Sequence, residues 1–234
     1  FNWYRSINND PRRYSDTKIT VSDFAVQKQS DGTDLIQTKM DAYIANENTH
    51  FPYEVEYAVS PDGIIKVSAV FHTGHGYMPP RFGLRMSLTP QNENVQWYGR
   101  GPFENYPDRQ SGAFLGIYQS TATDMGHEHY VQLQSMGQRG DARWISLNGN
   151  GQKGIKIISL DTLSFSALHF TDAAAWKTYH DFKLPEIIRP QVYLSLDCLQ
   201  RGLGNASCGP QPLKEFEMPE DKTLQYSFLI EPGR

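Results

Sequence analysis

Apolar and polar positions alternate with a period of two along most of this chain. The clearest stretch sets Tyr53, Val55, Tyr57 and Val59 against Glu54, Glu56 and Ala58, and Ile65, Val67, Ala69 and Phe71 return on the far side of Ser60-Pro61-Asp62-Gly63. Proline fixes φ in that turn and glycine accepts φ > 0, so the segment predicts a hairpin. A period of two puts one face of it in a core and the other in water or on a neighbour. Further strands are expected from Ile19 to Val26 and over Asp34–Thr38, Phe82–Leu88, Val95–Tyr98, Phe114–Tyr118, Tyr130–Gln134, Arg143–Leu147, Ile155–Leu160, Leu163–Phe170, Val192–Leu196 and Tyr226–Ile230. Asn148-Gly149-Asn150-Gly151 is a strong turn signal between two of these strands. One helix is expected, Thr171–His180, capped by Thr171 or Asp172 and favoured by Ala173, Ala174 and Ala175. No repeat, low-complexity tract or linker breaks the pattern. The expectation is therefore one all-β domain over residues 1–234, a sandwich of large sheets.

Composition narrows the function classes. The 22 Lys and Arg against 26 Asp and Glu leave a net charge of −4, which argues against a nucleic-acid surface or a polybasic membrane patch. No apolar run approaches the roughly 20 residues of a membrane helix. Two cysteines, Cys198 and Cys208, are too few for a disulfide scaffold. The chain opens Phe1-Asn2-Trp3-Tyr4, without Met or a charged-then-apolar leader, and reads as a piece of a longer or processed protein. Both a cytoplasmic and a periplasmic or secreted location stay open.

Candidate chemistry is sparse. His127-Glu128-His129 sets two imidazoles on one face of a strand, a start towards zinc, but a third ligand is needed and no neighbour supplies one. A polar strand edge is the simpler reading. His72-Thr73-Gly74-His75-Gly76 looks similar, with glycines that suggest a mobile turn. Ser15-Asp16-Thr17-Lys18 matches a Ser-x-x-Lys pattern without its companion motifs. Gly202-Leu203-Gly204 lacks the third glycine and helix of a dinucleotide loop. Asn205-Ala206-Ser207 is a formal glycosylation sequon. Glycoside hydrolysis needs two carboxyl groups about 5–10 Å apart, one with a raised pKa. Neither Glu104 with Asp108 nor Asp124 with Glu128 shows, from spacing, why one member should be desolvated.

One segment is far more specific. Trp97-Tyr98-Gly99-Arg100-Gly101-Pro102-Phe103-Glu104-Asn105-Tyr106-Pro107-Asp108-Arg109 resembles, at every specified position, the W-Y-G-R-G-P-x-E-N-Y-P-D-R signature in the C-terminal domain of family-two, lac-type β-galactosidases. Its glycines and prolines force the chain to turn, and Glu104, Asp108 and Arg109 are suited to tie a loop down through charge-assisted hydrogen bonds. A structural staple is the expected role. Other stretches follow in order. Asn2–Ser6 with Asn9-Asp10 resembles the start of that domain. Gly137–Trp144 is similar to its N-G-N-R-T-D-V-R-W segment, and His180 with Leu184-Pro185 to an H-x-x-x-L stretch. Val192–Asp197 resembles its V-x-L-N-I-D strand, and Gly202–Pro210 its G-x-G-G-D-N-S-W-G-P loop.

The resemblance implies a large two-sheet sandwich related to galactose mutarotases, carried by a multidomain glycoside hydrolase. The catalytic glutamates of that enzyme lie in a separate (β/α)8 barrel, so no catalytic residue is expected here. The implied role is to close the sugar pocket and support assembly. The implied partners are that barrel of the same enzyme, a galactoside substrate and, for the parent, further copies of itself; nucleic acid and membrane are not among them. No cofactor or metal is implied for this piece, and Mg and Na belong to the parent's other domains. Ser207 and Cys208 fall on the pocket wall. The family's tryptophan there is replaced by Cys208, whose thiol offers no flat face for a sugar. A family glutamate is also missing from Gln132–Gly137. Two alternatives remain: an autonomous aldose epimerase using histidines such as His72, His129, His169 and His180, or a free-standing carbohydrate-binding module.

Overall fold

The computed structural model describes residues 17–44, 49–75, 79–128, 130, 133, 135–149, 152–178, 180–204 and 212–233. They form twelve strands: β1 (Thr17–Lys28), β2 (Asp34–Ile44), β3 (Thr49–Val59), β4 (Ile65–His72), β5 (Arg81–Leu88), β6 (Asn94–Gly101), β7 (Phe114–Thr121), β8 (Trp144–Gly149), β9 (Gln152–Ser159), β10 (Ser164–Leu168), β11 (Val192–Gln200) and β12 (Thr223–Pro232). Nine make one antiparallel sheet in the order β1-β2-β3-β4-β12-β9-β8-β6-β7, and β10-β11-β5 make the second. The all-β, two-sheet expectation holds, although the second sheet is small among the described residues. Short helices α1 (Ala122–Met125), α2 (Asp172–Lys177) and α3 (Leu184–Ile187) interrupt the connections.

The period-two hairpin is β3–β4. Gly63 takes φ 85, Gly63 N–H donates to Ser60 O at 2.9 Å, and Val59 pairs with Ile65. Val55, Val67, Ala69 and Phe71 are buried, as the alternation requires. The two sheets meet through aromatic rings. Phe82 of β5 packs against Phe51 and Phe71, and Trp97 of β6 meets Phe165 of β10 edge-on at 5.8 Å. The Tyr226 hydroxyl accepts the Leu84 N–H at 3.0 Å and donates to Leu196 O at 2.9 Å, so one side chain of the large sheet bridges two strands of the small one. Such buried hydroxyls need a partner at each end.

Thr171, not Asp172, caps α2, its Oγ accepting from Ala174 N, and the helix stops at Lys177 rather than His180. The expected strand Tyr130–Gln134 is not found: its described members, Tyr130 and Leu133, lie outside any strand. His127 and Glu128 likewise follow α1 in a loop, not on a strand edge. At the outer edge of the large sheet, a bulge between Val21 and Asp23 inserts one residue. It keeps Ile19, Val21, Phe24 and Val26 on one face, where they stay 58–62% exposed.

Candidate functional site

The signature segment begins inside β6 and ends in a loop. Trp97 is fully buried and donates its indole N–H to Arg100 O at 3.0 Å, with the Arg139 guanidinium 5.5 Å from its ring. Gly101 lies beneath the Tyr118 ring, where an added Cβ would come within 2.7 Å of a ring carbon, and a Cβ at Gly99 would lie 3.0 Å from Ala142 Cα. After a cis Gly101–Pro102 bond the chain turns away from the sheet.

From here it runs beside residues 137–141. Arg100 N–H donates to Gly140 O at 2.9 Å, and its side chain pairs with Asp141. Asn105, fully buried, donates its backbone N–H to Gln138 O and accepts the Gly140 N–H, both at 2.9 Å. Arg139 Nε donates to Pro102 O at 3.0 Å. The two segments quoted for the family resemblance thus bond to each other. These bonds satisfy backbone groups at the place where a sheet strand becomes a loop.

Glu104 is the hub of the turn. Its carboxylate accepts the Gly137 N–H at 2.8 Å, the Tyr106 hydroxyl at 3.3 Å and the Tyr130 hydroxyl. Burial pushes the Glu104 carboxyl above its ordinary pKa, the nearby Glu128 charge adds to this, and the Gly137 N–H and Arg139 offset only part of it. Burial that spacing could not reveal is therefore present at Glu104. Asp108 faces a different partner. Its two oxygens accept the N–H groups of Leu203 at 3.0 Å and Gly204 at 2.7 Å. Arg109 donates to Gly204 O, and a Tyr106–Arg109 turn, with Arg109 N–H to Tyr106 O at 2.8 Å, spans the half-buried Pro107. Gly204 takes φ 57, a left-handed conformation that suits a residue without a Cβ. Ser207 and Cys208 follow three and four residues later and lie outside the described residues, as does the sequon at Asn205.

The remaining candidates are scattered. His169 Nε2 pairs with Glu93 at 2.7 Å while its Nδ1 faces the carbonyls of Arg189 and Gln191. His180 stacks on Phe182 at 5.4 Å, His72 Nδ1 meets Thr223 Oγ1 at 3.3 Å, and His129 lies outside the described residues. His127 approaches Asp124 at 3.9 Å. Of the Ser-x-x-Lys segment, Lys18 is exposed on β1 and Ser15 is outside the described residues. One buried ionic site was not expected from sequence at all. Arg81 donates Nε to Asp197 Oδ1 at 3.2 Å and Nη1 to Asp172 at 2.7 Å, and pairs again with Asp197 through Nη2. Asp197 is 2% exposed, and burial pushes its carboxyl up against the opposing pull of Arg81. Gly83 leaves the space for this pair: a Cβ there would lie 2.1 Å from Asp197 Oδ1.

A family model described as the beta galactosidase small chain matches residues 1–230. The beta-galactosidase of Staphylococcus xylosus is 33% identical over 152 residues, covering 64% of this chain and 15% of that protein. That of Arthrobacter sp. (strain B7) is 29% identical over 187 residues, covering 77% and 18%. That of Streptococcus thermophilus is 26% identical over 216 residues, covering 91% and 20%. The chain therefore spans about 15–20% of the length of these relatives. Among solved structures, a galactose mutarotase related enzyme from Lactobacillus acidophilus aligns with a TM-score of 0.43 at 9% identity, covering 91% of this chain and 72% of that one.

Proposed function

The chain belongs to the beta-galactosidase small-chain family, and on that basis we propose that it is the non-catalytic, C-terminal portion of a β-galactosidase. In this reading residues 1–234 form one sandwich domain that works beside a (β/α)8 barrel of the same enzyme, on a galactoside. The barrel carries the nucleophile and the acid; this portion closes the sugar pocket and braces the assembly. Mg and Na, where the enzyme uses them, belong to its other domains.

The observation that carries the proposal is the pair of backbone bonds from Leu203 and Gly204 to Asp108. The signature's carboxylate is spent on two N–H groups immediately before the segment that bears Ser207 and Cys208. A carboxylate held in this way acts as an anchor for a recognition loop, and loops on a rigid sandwich are the usual carriers of recognition. The other signature residues act as a staple that fixes the anchor to β6.

The test is hydrolysis of nitrophenyl β-galactoside by the purified chain, checked for a strand-rich circular dichroism spectrum, alone and mixed with the rest of its enzyme. The chain alone should be inactive at every pH, and the mixture active. Turnover by the chain alone that is abolished by one Glu→Gln change within it would overturn the reading.

A further inference from the structure

Where β4 ends and β12 begins, an imidazole and two carboxylates converge from segments about 145 residues apart in sequence. His75 Nδ1 lies 3.1 Å from Glu220 Oε2 and 3.2 Å from Asp221 Oδ2, and one ligand atom from each residue falls within 4.8 Å of the other two. The backbone fixes this approach. Thr73 N–H donates to Lys222 O at 2.9 Å, Lys222 N–H returns to Thr73 Oγ1 at 2.8 Å, and Asp221 N–H donates to Gly74 O at 3.0 Å. Consecutive residues of a strand point to opposite faces. Glu220 and Asp221 lie in the bend before β12, outside that alternation, and with Asp221 at φ 51 both carboxylates reach the same imidazole.

We propose that His75, Glu220 and Asp221 form a binding site for a divalent first-row metal ion of the zinc class. An Nδ1 atom carries at most one proton, so it offers a single donor to two carboxylates. A dication meets both charges and the imidazole lone pair together. Nitrogen and oxygen ligands bind such an ion at about 2.0–2.2 Å, which sets neighbouring ligand atoms roughly 3 Å apart. The observed 3.1 and 3.2 Å match that spacing for two of the three ligand pairs, and the third pair lies within 4.8 Å. One imidazole with two carboxylates suits Zn2+, Ni2+, Cu2+ or Mn2+, whereas Ca2+ and Mg2+ take oxygen ligands. Three protein ligands leave the fourth position open, and the 81% exposure of the His75 side chain places that position in solvent. The ion would bind reversibly and remain available to a donor atom from another surface.

The experiment is equilibrium dialysis of the full-length enzyme against micromolar Zn2+, with metal analysis, for the wild type, His75→Ala and the double variant Glu220→Gln/Asp221→Asn. These side chains are exposed, so the substitutions leave the core intact. Each variant should lose one equivalent of zinc or hold it at least tenfold more weakly. With Cu2+ as probe, one histidine-nitrogen signature in the electron paramagnetic resonance spectrum should vanish in His75→Ala. Equal zinc stoichiometry and affinity in the wild type and His75→Ala would overturn the proposal.

Discussion

Asp108→Asn perturbs the anchor with the smallest change of shape. In the native chain the two carboxylate oxygens accept from Leu203 N–H at 3.0 Å and Gly204 N–H at 2.7 Å. Hydrogen bonds to a charged group contribute about 1.5–3 kcal/mol each. Asparagine keeps one acceptor, now neutral, and turns an NH2 group towards the second N–H. The site is only partly buried, so water recovers some of the loss, and about 2 kcal/mol of local stability should disappear. At 1.36 kcal/mol per factor of ten, that is roughly 30-fold faster opening of these amides. Hydrogen exchange of the full-length enzyme, followed by mass spectrometry on peptides spanning Leu203 and Gly204, reads it directly. Peptides from β1 and β2, at the edge of the large sheet opposite β6 and β7, serve as the internal control. If the proposed function is right, the Michaelis constant for a galactoside should rise more than kcat falls, because a recognition loop loses its footing. Unchanged exchange at Leu203 and Gly204 would refute the anchor itself. Faster exchange with an unchanged Michaelis constant would keep the anchor and detach it from the sugar pocket.

Two further outcomes follow from burial. The Glu104 carboxyl is raised in the folded state, so the folded chain holds its proton at pH values where the unfolded chain has released it. Its contribution is present below the ordinary carboxylate range and is lost as pH rises through the folded value. Denaturant titrations should show the stability of the wild type, relative to Glu104→Gln, falling with pH across that window and then levelling; a rise would contradict the burial argument. Burial, with Asp197 adding to it, pushes the Cys198 thiol up to about 12. A maleimide at pH 8 should therefore leave Cys198 unmodified in the folded enzyme and label it quickly after denaturation, as peptide mapping would show.

Short-range features were legible in the sequence, and long-range pairings were not. The β3–β4 hairpin was readable because alternation and Ser60-Pro61-Asp62-Gly63 lie within twenty residues of each other. Thr171 was readable as a cap because it bonds three residues ahead, to Ala174. Arg81 and Asp197 stand 116 residues apart, His169 and Glu93 76 apart, and His75 and Asp221 146 apart. No local pattern announces such partners, so His75 read as part of a mobile turn. Tyr130–Gln134 misled for a related reason. Its tyrosine looks like a strand residue but reaches out to Glu104, a partner that only the tertiary fold supplies. The family resemblance marked the signature, but not that its partner segment is residues 137–141.

The signature's carboxylates also show why spacing alone is a poor guide to hydrolytic chemistry. Glu104 has the raised pKa that a general acid needs, and Asp108 lies only four residues away in sequence. A retaining glycosidase sets its two carboxyl groups about 5–5.5 Å apart across one cleft, each with an oxygen free for the sugar. Here each carboxylate answers to a different part of the chain. Glu104 accepts from Gly137, Tyr106 and Tyr130, whereas Asp108 accepts from Leu203 and Gly204. Oxygens turned towards such separate sets of donors are not presented together to one sugar. Desolvation at Glu104 is better understood as the consequence of gathering three donors beneath a turn. The same residue type that catalyses when its oxygens face an open cleft becomes mortar when they face N–H groups, and the donors opposite it decide which.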